Sequence, residues 1–239
     1  MIHDSAFEHV RDEVARDLRP VRPLRSPWSS ALIALPLGLF ILSLVLVVYG
    51  VRSDAATIGP AALWVPASLM VAAAYIVLVF ALFQRAPEST VSWVWWAVLP
   101  IGAIGLQLGG AYWTLSQSAP PTAVNWQDEA MCFLRISFLG VPPVLVALGL
   151  LSRGLPLRPK VVGFLAGLGG GLLSEGIYRL HCGMSNPGHI VPWHTGAILV
   201  MGLLGFIAGL WWENRRLETW TRLRQGYGEA SPDHLAGPP

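Results

Sequence analysis

The only two cysteines of the sequence, Cys132 and Cys182, lie at corresponding ends of two consecutive apolar segments. Cys132 follows Asp128 and Glu129 at the start of one segment, and Cys182 comes at the end of the next. If the two segments are neighbouring antiparallel helices, both thiols lie at the same depth, within reach of the Cα separation below about 7 Å that a disulfide needs. On the oxidising side of a membrane, such a pair can form a reversible disulfide or react with an oxidant or a metal. The alternative is two inert buried thiols.

Three histidines flank the second cysteine in the run LHCGMSNPGHIVPWHTG. Cysteine and histidine are the ligands that zinc and copper prefer, although this spacing matches no standard zinc finger. The resulting hypothesis is a site for a transition metal (zinc, copper or a toxic heavy metal) that acts as a signal, with no resident cofactor required. Its ligands are Cys132, Cys182 and one or two of His181, His189 and His194.

Three charged residues lie inside apolar segments, where an ionisable group is costly and is usually paired or functional. Glu175 and Arg179 are four residues apart and can form an ion pair on one helix face. Arg135 lies about one turn after Cys132. The arginines either favour the reactive thiolate form of the cysteines or build a structural Arg-Glu-Arg network between helices, and the structural network is slightly favoured.

Composition predicts the elements that carry these residues. The chain has 239 residues, of which 54% are hydrophobic and 13% charged, whereas soluble domains carry about a quarter charged residues. Six apolar segments are each long enough to cross a bilayer, which takes about 20 helical residues. The sequence therefore predicts an all-α, polytopic membrane protein with a six-helix transmembrane bundle in residues 29–212. The segments are 31–51, 55–84, 89–127, 131–151, 161–180 and 190–212. Gly163, Gly167 and Gly171 in the fifth predict close helix packing.

The distribution of positive charge predicts the topology. Thirteen of the sixteen Lys and Arg residues fall before the first segment, after the last one, or in the second and fourth loops. Cytoplasmic loops carry such an excess, so both termini are predicted to be cytoplasmic and the cysteines to face the opposite side. A net charge of +2 is too small to indicate direct contact with nucleic acid.

The N-terminal segment, residues 1–28, is predicted to be a cytoplasmic arm with a short amphipathic helix. Ser5 and Glu8 have the spacing of a capping box, and Pro20 should end the helix. A helix this short has only marginal stability by itself in water. Its apolar stripe therefore needs a partner, which is a protein groove, the membrane surface or the bundle itself. Acidic residues among the arginines favour the protein groove. The stripe consists of Phe7, Val10, Val14 and Leu18.

The C-terminal residues 213–239 are predicted to be a cytoplasmic tail. Its first part, to about residue 225, is expected to continue the sixth helix, and the part beyond residue 226 has the composition of a disordered segment.

Four stretches resemble the NrsF family, named for negative regulator of sigma F. They are DLRPVRPLRSPW, CFLRISFLGVPPVLVALGLLSRG, GFLAGLGGGLLSEGIYRLHC and PGHIVPWHTG, and the resemblance extends over residues 17–210. It implies a six-span anti-sigma factor of the bacterial inner membrane that inhibits an extracytoplasmic-function sigma factor. It also implies release under oxidative or heavy-metal stress, with Cys132 and Cys182 as the functional cysteines.

The interpretation that joins these observations is a sensor with two ends. The arm holds a sigma factor, and a change at Cys132 and Cys182 shifts the packing of two helices and releases it. The partners are then a sigma factor and the lipid bilayer, and no catalytic constellation indicates an enzyme. Two alternatives are a membrane thiol oxidoreductase, which normally needs a CxxC or a second relay pair that this sequence lacks, and a metal-binding or transport protein that uses the histidines.

Overall fold

The structure, a computed structural model, describes residues 26–33, 35–84, 94–117, 126–154 and 156–228, together with the single residues 8, 11, 12, 15 and 92. Within these residues all regular secondary structure is helical. The helices are α1 (Pro27–Leu32), α2 (Leu35–Val48), α3 (Ala55–Phe83), α4 (Val94–Gln117), α5 (Trp126–Leu151), α6 (Pro159–Tyr178), α7 (Pro187–His189), a π-helix (Ile190–Thr195) and α8 (Gly196–Gly228).

Six helical segments are long and apolar enough to cross a membrane, which confirms the predicted number and class of helices. The first combines α1 and α2, and the last combines α7, the π-helix and most of α8. The first starts four residues earlier than expected because Ser26 caps it, with its Oγ accepting a hydrogen bond from the Ser29 amide, and Pro27 stands at the first helical position. The six are Pro27–Val48, Ala55–Phe83, Val94–Gln117, Trp126–Leu151, Pro159–Tyr178 and Pro187–Thr219.

Helix α6 is the centre of the bundle. Seventeen of its twenty residues are buried, and it packs against α3, α5 and α8. Its glycines allow the closest of these contacts. A Cβ atom built on Gly167 would overlap the Met201 carbonyl oxygen of α8, and one on Gly163 would overlap that of Gly205. The predicted glycine ridge is thus confirmed, and it fixes the path of α8 along α6.

We expect Gly167→Val to destabilise the bundle strongly, because the backbone of α8 occupies the space that the new side chain needs. Overpacking of this kind costs about 1–3 kcal/mol or more. Gly149→Val on α5 is the matched control, since a Cβ there has no neighbour within 4 Å. Thermal unfolding in detergent measures both. An equal loss in the two variants would contradict the proposed packing.

The two termini differ in how far the structure describes them. Helix α8 continues to Gly228, so the expected extension of the sixth helix past residue 213 is confirmed. Residues 229–239 lie outside the described part. The stripe formed by Phe7, Val10, Val14 and Leu18 also lies outside the described residues, so the arm and the division at 28 and 212 stay predictions.

Candidate functional site

The two cysteines meet at one end of the bundle. Cys132 lies in the second turn of α5. Cys182 lies in the turn that follows α6, where its own amide donates a hydrogen bond to the Tyr178 carbonyl at 3.1 Å. Their sulfurs are 3.9 Å apart, and both residues are buried and unpaired. The structure therefore brings together the pair that the sequence placed at a common depth.

The chain after Cys182 folds two histidines back onto the sulfurs. The Asn186 side chain caps α7 by accepting a hydrogen bond from the His189 amide at 2.8 Å, and Pro187 occupies the first helical position. The π-helix then carries the chain to His194. Residues five apart point to different faces of an α-helix, whereas the wider π turn brings them to one face. This short π-helix is what allows His189 and His194 to meet.

Four ligand atoms converge there. His189 Nε2 lies 3.5 Å from the Cys182 sulfur and 3.0 Å from His194 Nε2. The two sulfurs and two imidazole nitrogens all lie within 4.8 Å of one another, and all four residues are buried. We call this group, Cys132, Cys182, His189 and His194, the Cys/His cluster. Its ligand types could hold a metal ion.

Two carboxylates approach the outer nitrogens of these imidazoles. Glu175 Oε2 lies 2.7 Å from His194 Nδ1, and Glu129 Oε1 lies 3.7 Å from His189 Nδ1. Glu129 is in turn oriented by Trp193, whose indole N–H donates to Glu129 Oε2 at 3.1 Å. Both histidines therefore present Nε2 to the cluster and Nδ1 to an acidic residue.

Glu175 also belongs to a buried polar network that links α4, α6 and the π-helix. The predicted ion pair with Arg179 is present, with Arg179 Nε 3.5 Å from Glu175 Oε1. Gln107 Nε2 donates to the same oxygen at 3.5 Å, and Gln107 Oε1 accepts from the Thr195 hydroxyl at 3.2 Å. The sequence analysis missed Gln107 and Thr195, since an uncharged polar residue in an apolar helix gives only a weak signal.

The predicted Arg-Glu-Arg network is wrong in one member, Arg135. Its guanidinium donates to the Tyr178 hydroxyl at 3.1 Å and lies over the Tyr49 ring, 4.9 Å from the centroid. The Glu175 oxygens are already occupied by the partners described above. Arg135 approaches the cysteines through Tyr178, whose hydroxyl lies 3.9 Å from the Cys132 sulfur.

His181 is the one of the three candidate histidines that does not join the Cys/His cluster. Its Nδ1 lies 3.3 Å from the Gly50 carbonyl oxygen, and its ring packs against Tyr49 and Tyr178. Adjacent residues in the turn after α6 point in different directions, so Cys182 faces the cluster and His181 faces the loop before α3.

Arg52, whose side chain is almost completely buried, holds the loop that follows Cys182. It donates to the Gly183 carbonyl at 2.9 Å and to the Ser185 hydroxyl at 3.3 Å. Arg52 also forms an ion pair with Asp54. The hydrogen bonds that its guanidinium donates to Asp54 lower the pKa of the Asp54 carboxyl below its ordinary value of 3.8. The sequence analysis did not single out Arg52, which is one of the three basic residues outside the thirteen that predict the topology. Its isolation from every other basic loop residue was the available signal.

Comparison with known proteins identifies the family. A family model described as negative regulator of sigma F matches residues 14–212, which include the whole Cys/His cluster and its neighbours. The chain belongs to the NrsF family. The resemblance carried by the four sequence stretches is thereby confirmed.

Two NrsF relatives give the family its context. The anti-sigma-F factor NrsF of Caulobacter vibrioides (strain NA1000 / CB15N) is 33% identical over 87 residues, 36% of this chain and 39% of that protein. The probable anti-sigma-F factor NrsF of Azospira oryzae (strain ATCC BAA-33 / DSM 13638 / PS) is 29% identical over 129 residues, 52% of this chain and 58% of that protein. The matches thus span about two fifths and three fifths of these relatives. No solved structure matches the chain.

Proposed function

We propose that this NrsF-family chain is a membrane-bound anti-sigma factor that holds an extracytoplasmic-function sigma factor and releases it on oxidative or heavy-metal stress. The observation that carries the proposal is the family match over residues 14–212, and both NrsF relatives bear the name of anti-sigma-F factor. A regulator of this kind needs no catalysis, so we propose that the chain is not an enzyme. It would lie in the bacterial inner membrane with both termini in the cytoplasm.

The sensing step is proposed at Cys132 and Cys182. Hydrogen peroxide would take two electrons and the two thiol protons from the pair, leaving one disulfide and two molecules of water. A disulfide joins sulfurs at about 2.05 Å, and the two sulfurs now lie 3.9 Å apart. Oxidation would therefore bring the two sulfurs closer by roughly 2 Å and pull the start of α5 and the turn after α6 toward each other. Burial of both residues means that the oxidant must be small.

Helix α8 is the proposed connection between this step and the sigma factor. It begins directly after the π-helix, follows α6 along the glycine ridge and continues to Gly228. Beyond the glycine ridge Arg216 donates to the Gly154 carbonyl at 3.0 Å, and Glu213 lies 3.7 Å from Lys160. These contacts tie α8 to the loop between α5 and α6 and to the first turn of α6. A displacement at the Cys/His cluster would thus move α8, and with it the end of the bundle at which the sigma factor is proposed to be held.

The arm, residues 1–28, is the proposed contact for the sigma factor. We expect the full-length protein in detergent to bind one extracytoplasmic-function sigma factor of its host selectively. Changing Phe7, Val10, Val14 and Leu18 to Ser should weaken that binding at least about 100-fold, since each buried apolar side chain contributes about 1.5–3 kcal/mol. Biolayer interferometry against each purified sigma factor measures this.

The matched control changes four arm residues that are exposed and helical, Glu8, Arg11, Asp12 and Ala15, to Ser. It should keep most of the affinity because these positions leave the stripe intact. Equal binding by the stripe variant and the wild type would place the contact elsewhere on the cytoplasmic face. Failure to bind any of the sigma factors would overturn the anti-sigma proposal itself.

A further inference from the structure

We propose that the Cys/His cluster is a tetrahedral site for one divalent ion of the zinc and cadmium class, with all four side chains as ligands. The inference deepens the proposed function, because it names the chemistry by which a heavy metal would act at the cysteine pair. Its evidence is independent of the sigma factor, since it depends on the positions of Cys132, Cys182, His189 and His194.

Three of the six distances between the ligand atoms match the edges of a tetrahedron. Zinc bonds of about 2.3 Å to sulfur and about 2.0–2.1 Å to nitrogen give edges of about 3.8 Å between two sulfurs, about 3.6 Å between sulfur and nitrogen, and about 3.3 Å between two nitrogens. In the structure the Cys132 and Cys182 sulfurs are 3.9 Å apart, the Cys182 and His189 ligand atoms 3.5 Å, and the histidine Nε2 atoms 3.0 Å. All four ligand atoms lie within 4.8 Å of one another, so the remaining edges close with a shift of at most about 1 Å.

The surroundings of the histidines have the arrangement of a metal centre. A metal-binding histidine usually donates its other ring N–H to a carboxylate or a carbonyl, which fixes the tautomer and orients the ring. His194 Nδ1 lies 2.7 Å from Glu175, a hydrogen-bond distance, whereas His189 Nδ1 lies 3.7 Å from Glu129, which is an ion-pair distance but too long for a hydrogen bond. The hydrogen bond to Glu175 leaves the Nε2 lone pair of His194 for an ion. The two Nε2 atoms are 3.0 Å apart, which leaves room for at most one proton between them.

Charge balance favours a divalent ion. The four residues are buried. Two thiols that lose their protons become two thiolates, and their negative charges offset the charge of an M²⁺ ion that is bound together with two neutral imidazoles. The net charge of the cluster is then unchanged by binding. With both thiols deprotonated, a monovalent or trivalent ion would leave an uncompensated charge in a buried site, which is costly.

The ligand types and the tetrahedral geometry narrow the choice of divalent ion further. Thiolate and imidazole ligands exclude Mg²⁺ and Ca²⁺, which take oxygen ligands. A tetrahedral S₂N₂ set favours zinc over Cu²⁺, which prefers tetragonal geometry. Cd²⁺ shares the filled d shell of Zn²⁺ and binds thiolates more strongly because it is softer. The ion would tie α5, the turn after α6 and the π-helix together, and it would occupy the same sulfurs that a disulfide needs.

The test is metal binding by the full-length protein, reduced and purified in detergent. Co²⁺ serves as the probe, because a tetrahedral S₂N₂ site gives intense visible d–d bands and a sulfur charge-transfer band that octahedral Co²⁺ lacks. We expect one Co²⁺ per chain, displaced by one Zn²⁺ or Cd²⁺. His189→Gln and His194→Gln should each weaken binding at least about 10-fold and shift the d–d bands.

His181→Gln is the matched control, since this histidine is adjacent to Cys182 in sequence but faces Gly50. It should keep the wild-type spectrum and stoichiometry. Two results would overturn the inference: a wild-type chain that is folded by circular dichroism and gives no tetrahedral Co²⁺ spectrum, or histidine variants whose spectra and affinities equal those of the wild type. Neither result bears on sigma-factor binding, which is measured separately, so the two proposals can fail independently.

Discussion

A chain with Cys132 and Cys182 changed to serine should keep its sigma factor bound under both peroxide and cadmium stress. Serine hydroxyls neither form a disulfide nor bind a soft metal as thiolates do, while their size preserves the packing of α5 against the turn after α6. Transcription from promoters of the sigma factor should then stay at the uninduced level, a complete loss of the response. A promoter reporter in the host measures it.

A single cysteine variant tests the disulfide step. Cys132→Ser alone should abolish the peroxide response, because a disulfide within the chain needs both sulfurs, which now lie 3.9 Å apart. His181→Gln is again the control and should respond as the wild type does. Wild-type induction in the double serine variant would show that the cysteines are not the sensor. A reporter that is already fully active without stress would instead show that the variant no longer holds the sigma factor.

Glu175→Gln should be among the most destabilising substitutions in the chain. Glu175 is completely buried, and its carboxylate faces Arg179 and His194. Removing one member of a buried ion pair leaves the other charge uncompensated and costs about 3–5 kcal/mol. We expect a loss of this size in the free energy of unfolding, measured by denaturant titration in mixed micelles.

The double variant Glu175→Gln/Arg179→Gln tests the reason for this loss. With both charges removed, no buried charge is left unpaired, so the double variant should be more stable than Glu175→Gln alone. Simple addition of the two single effects would contradict an energetic coupling between the two side chains.

The sequence was sufficient for the helices and for the cysteine pair. Apolar segments of bilayer length give a strong signal, and all six appear in the structure. Cys132 and Cys182 could be placed together because antiparallel neighbours bring corresponding ends to one depth. The glycine spacing of Gly163 and Gly167 likewise predicted a close helix contact, since only a residue without a side chain permits it.

The choice of ligands could not be made from the sequence. His181 is adjacent to Cys182, whereas His194 is twelve residues away, yet of these two only His194 belongs to the Cys/His cluster. The reason is a π-helix, which packs against α4 and α5 and has no reliable local signature in the sequence. The partner of Arg135 was missed for a related reason: tertiary packing places Tyr178 nearer to it than Glu175. Spacing along the chain says which charges lie near each other in one helix, but not which meet between helices.

The central claim is that the state of the cysteine pair controls sigma-factor binding. Its most direct test is the affinity of the full-length protein in lipid nanodiscs for its sigma factor, measured before and after oxidation with peroxide, with the Cys132–Cys182 disulfide verified by mass spectrometry. The account predicts that the oxidised protein binds at least about 100-fold more weakly, and that a thiol reductant restores the affinity. Equal affinities of the reduced and fully oxidised protein would contradict it.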